Sequence, residues 1–167
     1  MSHLINKKGT TNLRQIRLGV FTPLIVAVCF ASCNKQPVFN EFKLISPNGW
    51  LADSSCVFQL NIEDSVTLFD LTVNVRHTGA YPYQNLWLFV EQLSPDSLIT
   101  RDTLSCTLSD FTGKWLGTGT GSVYLFSVPL KTKDRFKKTG MYQYTIVHGM
   151  RDENLNGIQA IGVKLDH

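Results

Sequence analysis

The chain has 167 residues, of which 43% are hydrophobic, 11% aromatic and 17% charged; that is the size of one ordinary domain and too apolar for a disordered tail. Its formal charge of +3 comes from 16 Lys+Arg against 13 Asp+Glu, yet Lys7, Lys8, Arg14 and Arg17 precede the first apolar run and no acid occurs before Glu41. From Cys33 onward 12 basic residues face 13 acidic ones, a net charge of −1, so the excess belongs to the leader and a nucleic-acid-binding reading loses its support.

Residues 1–17 are polar and basic, and Leu18 to Phe30 (LGVFTPLIVAVCF) forms an apolar run of 13 residues. As a helix that run spans about 20 Å, short of a hydrocarbon core of about 30 Å, and Pro23 weakens a regular helix further. It has the length of a signal-peptide h-region behind a positive n-region. Ala31-Ser32-Cys33 places small residues directly before a cysteine, as a lipoprotein signal peptidase requires; Phe30 stands where leucine is usual. Cys29 is a poorer candidate because Val28 precedes it. The sequence therefore predicts a signal peptide over 1–32, acylation of Cys33 and a short tether over 33–37. Each buried CH₂ contributes about 0.8 kcal/mol, so two or three acyl chains hold a protein firmly on a membrane. Asn34-Lys35-Gln36-Pro37 lacks the aspartate that retains many Gram-negative lipoproteins at the inner membrane. The expected address is the periplasmic face of the outer membrane.

Residues 38–167 are predicted to form one domain. Hydrophobic periodicity there is mostly two, in runs rich in β-branched and aromatic residues: 38–45, 57–62, 68–76, 85–92, 98–108, 122–130, 141–148 and 159–165. Alternation is clearest in Leu71-Thr72-Val73-Asn74-Val75-Arg76 and Tyr142-Gln143-Tyr144-Thr145-Ile146, which sets one face in a core and the other in water. Ser46-Pro47-Asn48-Gly49, His77-Thr78-Gly79-Ala80, Ser94-Pro95-Asp96 and Asn156-Gly157 punctuate the runs as turns. Short strands at this spacing predict an all-β fold, an antiparallel two-sheet β-sandwich of about eight strands. Only Lys131–Lys138 suits a helical turn.

Chemistry-bearing residues are sparse. Cys56 and Cys106 either pair across about 50 residues in an oxidising compartment or stay as two buried thiols; without C-x-x-C, zinc and thioredoxin-type chemistry are not signalled. His77 sits at a turn and His148 at a strand end, where solvated or capping roles are expected, and neither G-x-S-x-G nor H-E-x-x-H occurs to support a hydrolase. Asp152-Glu153-Asn154-Leu155-Asn156-Gly157 opens like a calcium loop, but Val163 stands where the bidentate glutamate belongs, so a hairpin turn is expected and no metal. The glycines of Gly113–Gly121 fit positive φ angles in a long turn with Trp115 folded onto the sheet, because a β-type run rather than a helix N-terminus follows them. In Tyr81-Pro82-Tyr83-Gln84-Asn85-Leu86-Trp87, Trp87 is expected in the core and Tyr81 and Tyr83 at the surface. Lys131, Lys133 and Arg135 belong to a basic run suited to lipid phosphates, an acidic partner or solvent. Asp64-Ser65-Val66, Asp96-Ser97-Leu98 and Asp102-Thr103-Leu104 resemble the D-[ST]-aliphatic acceptor of periplasmic O-glycosylation, making Ser65, Ser97 and Thr103 candidate glycan sites.

The order of motifs carries a resemblance. After the leader come Trp50, Asp64 and a strand ending in Arg76; then Tyr81-Pro82-Tyr83-Gln84-Asn85-Leu86-Trp87 and Leu108-Ser109-Asp110-Phe111-Thr112-Gly113-Lys114-Trp115-Leu116-Gly117; finally Gly140-Met141-Tyr142, Met150-Arg151 and Leu155-Asn156-Gly157-Ile158. Over nearly all of the chain beyond Cys33 this resembles the gliding-motility lipoprotein GldH family of Bacteroidota. The resemblance implies a cell-envelope lipoprotein serving gliding and tied to type IX secretion, with no enzymatic activity, cofactor or catalytic residue. Its partners would be the membrane, through the lipid, and other motility or secretion proteins of the envelope, docked through Tyr81, Tyr83, Trp115 and the basic run. The competing expectation is a glycan-binding module stacking sugars on Tyr81, Tyr83 or Trp115.

Overall fold

The computed structural model describes residues 36–167, which form one compact unit with its own core; Cys33 and the leader lie outside the described residues. Among the described residues eleven strands occur, β1 (Phe39–Leu44), β2 (Trp50–Leu51), β3 (Cys56–Ile62), β4 (Phe69–Thr78), β5 (Asn85–Leu93), β6 (Ile99–Thr107), β7 (Thr118–Thr120), β8 (Val123–Asp134), β9 (Gly140–His148), β10 (Asn154–Leu155) and β11 (Ile158–Asp166). They build a five-stranded sheet in the order β1-β11-β4-β8-β7, a four-stranded sheet β3-β9-β5-β6 and a two-stranded ribbon β10-β2. All pairings are antiparallel. The eight long strands coincide with the eight predicted runs to within a few residues at their ends. The three short ones were not foreseen, because two or three residues carry no period.

Alternation does the folding work. In β3 every second residue (Cys56, Phe58, Leu60, Ile62) is buried and the intervening ones are exposed. The same parity places Leu71, Val73 and Val75 of β4, Leu86, Leu88 and Val90 of β5, and Tyr142, Tyr144 and Ile146 of β9 between the sheets. On the outer face of the larger sheet Asn74 accepts a bond from Ser127 Oγ at 2.7 Å. Beside it Phe42 lies against Gly162, with the Arg76 guanidinium 4.8 Å from its ring centre.

Register defines two ends. Phe39 pairs Leu165 and Leu165 pairs Leu71, while Phe69 pairs Asp134, Ile62 pairs Gly140 and Leu93 pairs Ile99. The end where the described chain begins therefore also carries the β3–β4, β5–β6 and β8–β9 connections. The opposite, distal end carries the β4–β5, β6–β7, β7–β8 and β9–β10 connections. There the β10-β2 ribbon buries Trp50 and Leu155; Trp50 Nε1 donates to the Ser54 carbonyl at 3.0 Å.

Two expectations are corrected here. Lys131–Lys138 makes no helical turn: β8 continues to Asp134 because its backbone stays paired with β4, past a register shift beside Leu71. Asn156-Gly157 is a turn, with Gly157 at φ 87°, but not of a hairpin: β10 before it pairs β2, whereas β11 after it joins the large sheet.

Candidate functional site

The four-stranded sheet buries one face and leaves the other free. On that outer face β5 presents Trp87 and Phe89, 41% and 49% exposed. The Phe89 ring packs over Gly149, where a side chain would be within 2.8 Å of it. Met150 closes the side, its sulfur accepting from Trp87 N at 3.5 Å. Tyr83 stands at the rim and donates its hydroxyl to Asp152 Oδ2 at 2.8 Å; that bond raises the phenol pKa. With Asn85 and Arg151 these residues line a cleft of about 490 Å³ at the distal end. Its chemistry is exposed ring surface edged by one carboxylate, one guanidinium and one amide.

Behind this cleft lies an aromatic cluster. His77 packs against Trp115 at 4.8 Å, against Tyr124 at 5.5 Å and against Tyr81 at 6.1 Å between ring centres. Tyr81 is only 3% exposed and donates its hydroxyl to the Asn85 carbonyl at 2.9 Å, and burial raises its pKa. Trp115 is half-buried on the sheet, as expected, held by its bridge to Ser109. The turn before it is organised by Asp110, whose carboxylate accepts from Thr112 Oγ1 at 2.6 Å, Thr112 N at 2.8 Å and Lys114 N at 3.0 Å. Those bonds, the Thr112 hydroxyl first, hold the Asp110 pKa below the carboxylate norm.

The predicted interaction residues thus sort differently from expectation. Tyr83 is at the surface, but Tyr81 is core and unavailable for stacking, and Trp87, expected in the core, is exposed. The signal was present: with Leu86, Leu88 and Val90 inward, Trp87 and Phe89 must point outward.

Both internal histidines are buried, not solvated. His77 Nδ1 contacts the Thr78 carbonyl at 3.2 Å and His148 Nε2 the Trp50 carbonyl at 3.1 Å, while His77 Nε2 and His148 Nδ1 have no partner. Burial lowers both pKa values. Neither lies beside a nucleophile or carboxylate within bonding distance, and among the described residues no group of His, Cys, Asp and Glu is placed to hold a metal.

Cys56 and Cys106 are free and buried. Cys56 is on β3 and Cys106 on β6, at opposite edges of the four-stranded sheet, so three strand spacings put them at least about 14 Å apart, and a disulfide needs Cα atoms within about 7 Å. Pairing is excluded by topology. Burial pushes the Cys56 thiol up to about 11 and the Cys106 thiol up to about 12.

At the opposite end, Lys131 pairs Asp102 and Lys138 pairs Asp96, both at 3.0 Å. Lys133 and Arg135 are exposed and in no ion pair among the described residues. Of the candidate glycan sites, Ser97 and Thr103 are exposed and Ser65 is partly covered in a turn built on Asp64, which accepts from Val66 N at 2.6 Å and from Thr67.

Comparison with known proteins gives a family-model match, described as GldH lipoprotein, over residues 37–165. The "Gliding motility lipoprotein GldH homolog" of Christiangramia forsetii is 31% identical over 155 residues, 89% of this chain and 94% of that protein. The "Gliding motility lipoprotein GldH" of Flavobacterium johnsoniae is 30% identical over 150 residues, 86% of this chain and 92% of that protein. Among solved structures, the infectious bursal disease virus VP2 subviral particle aligns over 77% of this chain and 30% of its own, with 13% identity and a TM-score of 0.35; a likeness that low bears on neither fold nor function.

Proposed function

We propose, from the premise that this chain belongs to the GldH lipoprotein family, that it is held on the periplasmic face of the outer membrane by acyl chains on Cys33 and supports gliding motility or type IX secretion by binding other envelope proteins. Its action is docking, not catalysis. The observation that carries this reading is the exposed cleft of Tyr83, Trp87, Phe89 and Met150 on the free face of the four-stranded sheet. Large aromatic and methionine side chains bordered by Arg151 and Asp152 are the composition of a binding hot spot. The chain enters the domain at the opposite end, so an anchored molecule would present this cleft away from the lipid.

The test is genetic. Deleting the gene should abolish colony spreading, reduce type IX cargo in the medium, or both. Complementation with Trp87→Ala/Phe89→Ala should fail although the protein is present in membranes. Normal spreading and secretion in the deletion strain would defeat the proposal.

Glycan binding remains the second reading, now on Trp87 and Phe89, whose exposed rings lie beside the hydrogen-bonding groups of Asn85, Arg151 and Asp152. Selective sugar binding by the domain, lost in the same double variant, would favour it over protein docking.

A further inference from the structure

The surface opposite the aromatic cleft has a composition of its own. Val66 is 74% exposed, and Val38, Leu68, Leu98 and Ile99 expose between 45% and 49%. They come from three separate segments, the start of β1, the β3–β4 connection and the β5–β6 hairpin, that the register gathers at one end. Packing confirms the grouping: Val38, Asp64 and Phe69 line one depression, and Phe69, Leu98 and Phe136 line another. At the same end the last residues of β8 and the β8–β9 connection between the sheets present Lys133, Arg135 and Lys137, all exposed and in no ion pair among the described residues. Three acids at this end are held in ion pairs, Asp102 with Lys131, Asp96 with Lys138 and Asp166 with Lys164, whereas Asp64, Asp70 and Asp134 accept backbone N–H bonds from Val66 at 2.6 Å, Lys133 at 2.8 Å and Arg135 at 2.8 Å and keep their charge, so the free cations are a local feature of the β8–β9 connection. Glu63, in the β3–β4 connection, is in no ion pair among the described residues.

Protruding aliphatic side chains interspersed with free cations are the chemistry of a surface that rests at a lipid interface. The alkyl groups enter the headgroup boundary and the cations meet phosphates. The described chain also begins here, and Cys33 lies five residues before Val38, so an extended link reaches at most about 18 Å.

We infer that this end of the sandwich is itself a membrane-contacting surface, in which Val66, Leu98 and Ile99 dip into an anionic phospholipid interface and Lys133, Arg135 and Lys137 bind its headgroups. The domain then stands upright on the bilayer instead of trailing from a flexible tether. With β4 ten residues long, the aromatic cleft is held about 30 Å above the lipid. The inference rests on the anchoring reading for its biological setting, and its test is independent of acylation.

In that test, residues 36–167 carry an N-terminal hexahistidine and are tethered to vesicles of phosphatidylethanolamine and phosphatidylglycerol through a nickel-chelating lipid. A polarity-sensitive dye is attached at Leu98→Cys or, separately, at Tyr83→Cys; Cys56 and Cys106 are buried and remain unlabelled. Ile99→Cys replaces the first position if Leu98→Cys does not fold. The dye at 98 should shift to the blue on the vesicles and the dye at 83 should not. Lys133→Glu/Arg135→Glu/Lys137→Glu should abolish the shift while the tether stays bound. Without the tether, each cation removed should weaken vesicle binding about fivefold. A water-like dye at 98, an equal response at both positions, or a shift indifferent to charge reversal overturns the inference. Palmitate labelling of the native chain tests Cys33 separately, so failure of one leaves the other readable.

Discussion

At the scale of single residues, burial decides which groups react. Cys56 and Cys106 each sit in the core with the thiol pKa raised by desolvation, and the thiolate is the reactive form. Ellman's reagent should find no accessible thiol in folded residues 36–167 and two after unfolding in urea, with or without reductant; one disulfide by mass would contradict the topology. His77 and His148 are held neutral by burial, each with one ring nitrogen lacking a partner. The sign follows from linkage. Their folded pKa values lie below the ordinary 6.5, so above that pH neither state takes up a proton and stability is full. As pH falls below it, the unfolded chain protonates first and stability drains toward the depressed folded values. The melting temperature should therefore drop between pH 7 and pH 5, and His77→Phe should shallow that drop. An unchanged profile in His77→Phe would remove His77 from the account.

At the scale of elements, β5 reads as a two-sided ribbon. Leu88 is fully buried and Phe89, the next residue, is half exposed. Leu88→Ala should cost about 2–5 kcal/mol in urea unfolding. Phe89→Ala should cost less than about 1 kcal/mol, despite removing the larger side chain. Equal losses would mean the outer face is covered in the native molecule. The turn between β10 and β11 depends on Gly157, whose φ of 87° suits glycine and whose absent side chain leaves room for Tyr81, a Cβ there standing 2.5 Å from the Tyr81 backbone nitrogen. Left-handed strain alone costs about 1–2 kcal/mol. With the clash added, Gly157→Ala should lower stability by about 2 kcal/mol or more, whereas Gly113→Ala, with open space around it, should lose only the strain.

At the scale of the whole molecule, the sandwich is polar along its long axis. One end gathers the chain entry, exposed aliphatics and free lysines; the other carries the aromatic cleft and the Asp110-ordered turn. Strand edges differ as well. On β8, at the edge beyond short β7, Pro129, Lys131 and Lys133 discourage further pairing. A partner is therefore more readily received on the cleft than along that edge. Trp87→Ala/Phe89→Ala should leave the melting temperature within a few degrees of the parent yet abolish function in complementation. Loss of function with loss of fold would return the rings to a structural role.

Much of this was written in local pattern. Period-two alternation fixed the eight long strands and the all-β class, because strand side chains must point alternately to core and water. The motif order fixed the family. Even the outward parity of Trp87 was legible from Leu86, Leu88 and Val90, though its mid-strand place suggested core. Other properties exist only once distant segments meet. The separation of Cys56 from Cys106 depends on β9 and β5 lying between them, and the burial of His77 on Trp115 and Tyr124 arriving from later in the chain. The pairing of β10 with β2 rather than β11, and the gathering of Val66, Leu98 and Lys133 at one end, likewise follow from strand order. Alternation tells each strand which face is inside, but it is blind to which strand lies beside it, since any apolar face can cover any other. Tertiary packing alone makes that choice, and it turned scattered exposed residues into two opposed surfaces.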